Sequence, residues 1–385
     1  REGHIDWTLP CECAYIPENR LSFIFHEGEF WFPNKSPKME KMIRDRTFFV
    51  RFGHYMTEKH GILPSVPMYL EMQPDGNETK TTCPCNPHFP PLFVLARTME
   101  EKHFIRRPTM FMPPQWASRA LTLYEERIPW KEKKEQLYWS GTVFYNHGSI
   151  PRLTAMIIQT KLKKELPELG KLFALYRAKS FKMKKMTDRL IKYQKSSKTK
   201  GDPNPIPVLG ALTSVDPSTF STKSWSSPSN FSQYKYNLHL PGYWSAGYSR
   251  AIQNLLPQLT VPLFWENPYR EFYYDWLIEG EHYLKVETEN LIQTVIWLKD
   301  HDDEARRIAE NGVKFFLENL QETDIWNYWE WLLLTYIRLS VKKTPDLSQH
   351  CNVNDRKRCL FFKANHRRKP GFKREDASDV KCIDP

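Results

Sequence analysis

Residues 236–250, YNLHLPGYWSAGYSR, carry an arrangement suited to holding an anion. Gly242 and Gly247 let backbone come close to a ligand, with Tyr243 and Ala246 between them and Tyr248 after, and Ser245 and Ser249 supply hydroxyls or helix caps. Arg250 then opens a run of helical spacing, SRAIQNLL. Free N–H groups at a helix start, with the helix dipole behind them, favour negative charge, and a guanidinium adds a fixed two-pronged donor. Phosphate is the ligand chemistry this implies; the alternative is a plain strand-to-helix turn, since such turns are ordinary in α/β proteins. Two other segments are built alike: Ser140-Gly141-Thr142 follows the apolar run QLYW, and Glu266 follows TVPLFW. A small turn facing phosphate, an arginine turn and a carboxylate able to accept from vicinal hydroxyls together suit a nucleotide.

Such groups act only where strand ends hold them. Tyr236, Leu238 and Leu240 alternate with polar positions, so a strand is predicted up to Pro241. QLYWSG, TVPLFWE and HYLKVE read as further strands, each leading into a helix, with helices to about 195 and a Ser/Pro-rich loop from 201 to 233. Upstream, SPKMEKMIRDRTFFVRFGHYM reads as a helix, and VPMYLEM and PPLFVLA as short strands. The expected division is a cysteine-bearing extension over 1–36, an α/β domain over 37–127 and a second over 128–322. A helix over 323–342, apolar nearly all round, is expected to be buried between layers or domains, and a basic irregular tail covers 343–385. Ligands of such sheets bind beyond the carboxyl ends of the strands.

At 385 residues, with 40% hydrophobic and 14% aromatic, the chain has core enough for two domains. No run is long and apolar enough to cross a bilayer. Cys11/Cys13 and Cys83/Cys85 are C-x-C pairs, read as disulfide partners rather than zinc ligands. Sequons at Asn34, Asn77 and Asn230 point to an oxidising, secretory setting, and a start at Arg1 fits a removed signal or anchor segment. Much of the net charge of +11 sits in 161–200, where leucines and phenylalanines recur at helical spacing between lysines. That segment is either a solvated helical face or a patch for an acidic glycan or anionic surface; no signature of a specific nucleic-acid fold accompanies it.

From Tyr234 onward the order KYNLHLPG…SR, TVPLFWENPYREFYYDWL, HYLKVETENL, WLKDHDDEARRIAENGVKFFLENL and YWEWLL resembles the capsule-associated family of glycosyltransferases, which includes the protein O-glucosyltransferases. PWKEKKEQLYWSGT and YIPENRLSF extend the likeness upstream. The resemblance implies an α/β, GT-B fold of two Rossmann-like domains facing across a cleft. It also implies inverting transfer of glucose or xylose from a UDP-sugar to a hydroxyl of a protein or glycan, in the lumen of the endoplasmic reticulum or Golgi, without cofactor or metal. No Asp-x-Asp metal clamp is expected anywhere in the chain, so Arg250 and backbone donors are to neutralise the leaving diphosphate. Ser140, Gly141 and Thr142 are to lie by the nucleotide sugar, Gly242 to Arg250 to wrap the UDP, and Glu266 to hold the ribose.

The departures are specific. The family's RGSR arginines are replaced by Ser140 and Val143, so one phosphate contact is lost or supplied elsewhere. The aspartate that acts as base in the family aligns with Pro74, leaving Asp75 next to it after a one-residue shift, or Glu71. These changes leave one rival reading, a secreted binding protein that has kept the fold but lost catalysis; the basic segment 161–200 leaves another, a nucleic-acid or polyanion binder.

Overall fold

The computed structural model describes residues 20–33, 39–71, 92–94, 96–97, 104–106, 120–142, 150–178, 219–223, 227–241, 252–267, 269–339 and 350–352. The class is α/β, in two units: residues 1–116 with 323–385, and residues 117–322.

In the first unit a hairpin joins β1 (Arg20–His26) to β2 (Glu29–Pro33), and His26 pairs with Glu29 across a two-residue turn. Glu27 and Gly28 both have positive φ (50° and 83°), the backbone that matches the twist of a hairpin. A Cβ on Gly28 would lie 1.9 Å from Thr57 Oγ1, so the turn packs against helix α1 (Met39–His60) where only glycine fits. β3 (Val66–Glu71) lies antiparallel to β1 and parallel to β4 (Leu92–Val94), which is followed by β5 (Phe104–Arg106). β1 and β2 lie within residues 1–36, read from sequence as an extension ahead of a domain starting at residue 37. Their hairpin was hidden because its turn, Glu-Gly, is not one of the usual Asn-Gly or Asp-Gly signals.

The second unit contains β6 (Lys134–Gly141), α2 (Ile150–Glu165), β7 (Phe173–Ala178), β8 (Thr222–Lys223), β9 (Tyr234–His239), β10 (Val261–Trp265) and β11 (Leu284–Val286). All neighbouring pairs are parallel, in the order β11-β10-β9-β6-β7-β8. Numbered within the unit this is 3-2-1-4-5-6, the doubly wound order, whose switch point lies between β6 and β9. β9 and β10 are buried along their whole length, as parallel strands covered on both faces must be. Leu137, Trp139, Leu175, Tyr236, Leu238 and Leu263 form the core face. The expectation of helices to about 195 is corrected: β7 interrupts it. Its leucine and phenylalanine spacing beside lysines mimics a helix, but Phe173 and Leu175 alternate with Ala174 and Tyr176 across the sheet.

Helices α3 (Ile252–Leu255), α4 (Leu291–Asp300) and α5 (Asp302–Asn319) follow. α5 begins with Asp302, Asp303 and Glu304, which oppose the positive end of its dipole, and buries Ala305, Ile308, Ala309, Gly312 and Phe316 along one stripe. Helix α6 (Glu322–Leu339) then enters the first unit and stacks Trp326 on Phe52 of α1 at 5.7 Å and 18°. Strand β12 (His350–Asn352) adds to β2, within the part read as an irregular tail.

Glu330 of α6 ties the two helices together: Tyr55, Lys59 and His60 all meet its carboxylate, at 2.5, 2.7 and 2.8 Å. Burial disfavours its charge, but Lys59, Tyr55 and His60 outweigh that and hold the pKa at about 2. The folded pKa is below the unfolded one, so the stabilisation is complete above about pH 4.5 and is lost as pH falls towards 2. Because Lys59 is itself half exposed, Glu330→Leu is expected to cost about 1–2 kcal/mol. Urea unfolding followed by tryptophan fluorescence at pH 7 and pH 3 checks both, and the difference between the two proteins should shrink at the lower pH.

Candidate active site

Ser140 and Gly141 end β6, and Thr142 follows them; Leu240 and Pro241 follow β9. The two strand ends therefore flank the switch point, where a doubly wound sheet opens its ligand crevice. Glu266 follows the next strand, β10, and is exposed, its N–H donating to Val286 O at 3.1 Å. The structure thus brings Ser140, Gly141, Thr142 and Glu266 to one edge of one sheet. Gly242, Tyr243, Ser245, Ala246, Gly247, Tyr248, Ser249 and Arg250 lie outside the described residues. Asp75, Asn34 and Asn77 also lie outside; Glu71 is the last residue of β3, in register with Arg20. Asn230 is half-buried in a 3-10 turn, where its side-chain oxygen accepts from Gln233, and the sequon's Ser232 is buried.

Why the end of β6 is small is visible locally. A Cβ on Gly141 would come 2.6 Å from the Trp139 ring, and over that ring, at 5.6 Å, lies the guanidinium of Arg152 in the first turn of α2. Arg152 Nε donates to Pro241 O at 2.8 Å and Nη1 donates to Thr142 O, so one buried side chain joins the two strand ends. Gly141→Ala is therefore expected to displace the indole and the arginine on it. It should lower the affinity for a phosphate-bearing ligand by about tenfold, the order of one lost charge-assisted hydrogen bond, with little change in far-UV circular dichroism. Titration calorimetry checks the affinity.

The profile of glycosyl transferase family 90 matches residues 171–369, a little over half of the chain. The chain belongs to glycosyl transferase family 90. It is similar to protein O-glucosyltransferase 2 of Danio rerio, with 29% identity over 116 residues, 30% of this chain and 23% of that protein. It is also similar to protein O-glucosyltransferase 1 of Bos taurus, with 41% identity over 68 residues, 17% of each. The matches thus span less than a quarter of these relatives. Among solved structures, Anabaena HepE in complex with UDP superposes with a TM-score of 0.35 and 10% identity, covering 58% of this chain and 56% of that one. A UDP-forming trehalose-phosphate synthase from Burkholderia xenovorans gives 0.33 and 13%, covering 61% and 51%.

Three residues of this family 90 chain escaped the sequence reading. Arg152 stands ten residues beyond Thr142, and nothing in its neighbours marks it. His239, the last residue of β9, was read only as a polar position in an alternating strand. It is buried against Phe264, and its Nε2 meets Tyr274 Oη at 3.2 Å while that hydroxyl donates to Glu271. Its proton therefore sits on Nε2, and Nδ1 has no partner among the described residues. Burial first, and the charge of Arg152 second, lower its pKa to about 3, so the ring is neutral. Glu287, just after β11, shares a hydrogen bond with Glu266; that bond and the like charge raise the Glu287 pKa. Two carboxyls on adjacent strand ends thus lie side by side, offering acceptors for a hydroxylated ligand.

One Asp-x-Asp triplet does occur, Asp300-His301-Asp302, and its place excludes it from the site edge. Asp302 meets Lys235 Nζ at 2.7 Å and accepts from Trp130 Nε1 at 3.1 Å, at the amino ends of the parallel strands. Its carboxylate neutralises a buried lysine, a structural role. Among the described residues no cluster of three His, Cys, Asp or Glu side chains is placed to hold a metal ion, and no helix is long and apolar enough to cross a membrane.

Proposed function

We propose that the protein is a UDP-sugar-dependent glycosyltransferase of the GT-B type, moving glucose or xylose to a hydroxyl of a protein or glycan with inversion and without a metal. The observation that carries this reading is the pair of strand ends, Ser140–Thr142 and Leu240–Pro241, at the switch point of a 3-2-1-4-5-6 parallel sheet. Family membership and likeness to proteins named protein O-glucosyltransferase support it. In this reading Ser140, Gly141 and Thr142 lie by the nucleotide sugar, Gly242 to Arg250 surround the UDP, and Glu266, beside Glu287, receives the ribose hydroxyls. Asp75 takes the acceptor proton, with Glu71 as the alternative base. The site of action is the secretory lumen, where the sequons at Asn34, Asn77 and Asn230 would be glycosylated and the C-x-C cysteines oxidised.

With no metal in the reaction, the diphosphate's charge falls to the protein's own donors. UDP is therefore expected to raise the melting temperature equally in chelator and in manganese, and a panel of UDP-sugars should show hydrolysis of UDP-glucose or UDP-xylose. A strict need for a divalent ion would overturn the metal-independent part. Absence of UDP binding would overturn the whole reading, while binding with no turnover on any sugar would favour the inactive binding protein.

A further inference from the structure

Arg152 is a buried cation with an unfinished set of partners. It is 9% exposed, and its two hydrogen bonds among the described residues go to neutral carbonyls, Thr142 O and Pro241 O. No carboxylate among the described residues pairs with it, and Nη2 has no acceptor among them. A guanidinium out of water without a counter-charge is costly, so a protein that keeps one there gains from an anion arriving beside it. The surroundings favour that anion. Arg152 occupies the first turn of the 16-residue helix α2, whose first turn has no acidic residue, and this helix follows the first strand of a doubly wound sheet. Pyrophosphates of nucleotides settle at that helix start in such sheets. Neighbouring His239 is neutral and adds no competing charge.

We infer that Arg152 is a phosphate-binding residue: it seats one phosphate of a nucleoside diphosphate between the ends of β6 and β9, through Nη2 and the charge of its guanidinium. The inference rests on the donor reading given above and deepens it. It identifies a source for the contact that the sequence lacks at Ser140 and Val143. The carbonyl bonds to Thr142 and Pro241 aim the guanidinium in advance, so no side-chain ordering remains to oppose binding.

The test is a ladder of uridine, UMP and UDP titrated by calorimetry into the full chain, as wild type, Arg152→Gln and Arg152→Lys. In the wild type, affinity should rise with each phosphate. In Arg152→Gln, uridine should bind within about threefold of wild type while UDP loses about ten- to a hundredfold, the size of a charge-assisted contact. An equal loss for all three ligands would make the arginine a clasp for the loops alone and overturn the inference; so would an unchanged ladder. If Arg152→Gln does not fold, Arg152→Lys decides. A buried lysine loses its proton far more readily than arginine, so its UDP-to-uridine ratio should fall between about pH 7 and 8.5 while the wild-type ratio stays flat. A flat, wild-type ratio in Arg152→Lys would overturn the inference. A wild type that fails to bind UDP would instead overturn the donor reading beneath it.

Discussion

Asp75→Asn is expected to lower sugar transfer by about 10²-fold or more while UDP affinity stays at its wild-type value, because a positioned general base contributes at least that much. Inverting transfer requires a carboxylate within hydrogen-bonding reach of the acceptor oxygen, on the side of the sugar opposite the departing UDP. The proposed UDP-holding residues all fall within 117–322. The acidic strand end of the other unit is PMYLEMQPDG, where β3 stops at Glu71 and Asp75 follows. Glu71 still belongs to the ladder, opposite Arg20, whereas Asp75 lies four residues beyond it in sequence. Glu71→Gln should therefore cost much less. Initial rates with a hydroxyl acceptor, beside UDP titrations, separate the cases. Inactivity of Glu71→Gln alone would reassign the base, and full transfer by both variants would place it elsewhere.

The second large effect is expected from Arg250→Ala. A charge-assisted hydrogen bond to phosphate is worth roughly 1.5–3 kcal/mol, so UDP affinity should fall about tenfold or more with no change in melting temperature. Turnover should fall with it, since charge on the leaving diphosphate grows in the transition state. Titration and thermal melts of the same preparation check this. Wild-type affinity in a folded Arg250→Ala protein would place that arginine away from the ligand and leave the diphosphate to Arg152.

Much of the second sheet was legible because its strands are apolar runs cut off by prolines and glycines. Tyr236, Leu238 and Leu240 gave away β9, and all three reach the core. β7 was not legible: six residues between a lysine-rich helix and a lysine-rich stretch of sequence bury Phe173, Ala174 and Leu175 in succession, a run that shows neither period. The candidate site divides along the same line. Ser140–Thr142 and Glu266 could be placed at strand ends from sequence because an apolar run precedes each of them, and strand ends are where sequence predicts chemistry. Arg152 and His239 were missed because their meaning lies in contacts: Arg152 gains its place from Pro241, 89 residues along the chain, and His239 from Tyr274, 35 residues along. No local pattern encodes such a meeting.

The first unit is assembled from both sides of the second: residues 1–116 supply most of its sheet and α1, while Trp326, Trp329 and Glu330 of α6 and the strand β12 arrive only after residue 322. During synthesis, at about 5–20 residues per second, the half-built unit must wait on the order of 10–40 s while the contiguous second unit emerges. For that interval the aromatic face of α1 around Phe52 and Tyr55 lacks its cover. The nascent chain is thus expected to be most vulnerable to misassociation, and most dependent on a holding chaperone, after its larger domain has already folded. That inverts the usual order, in which the amino-terminal domain is the first to be safe.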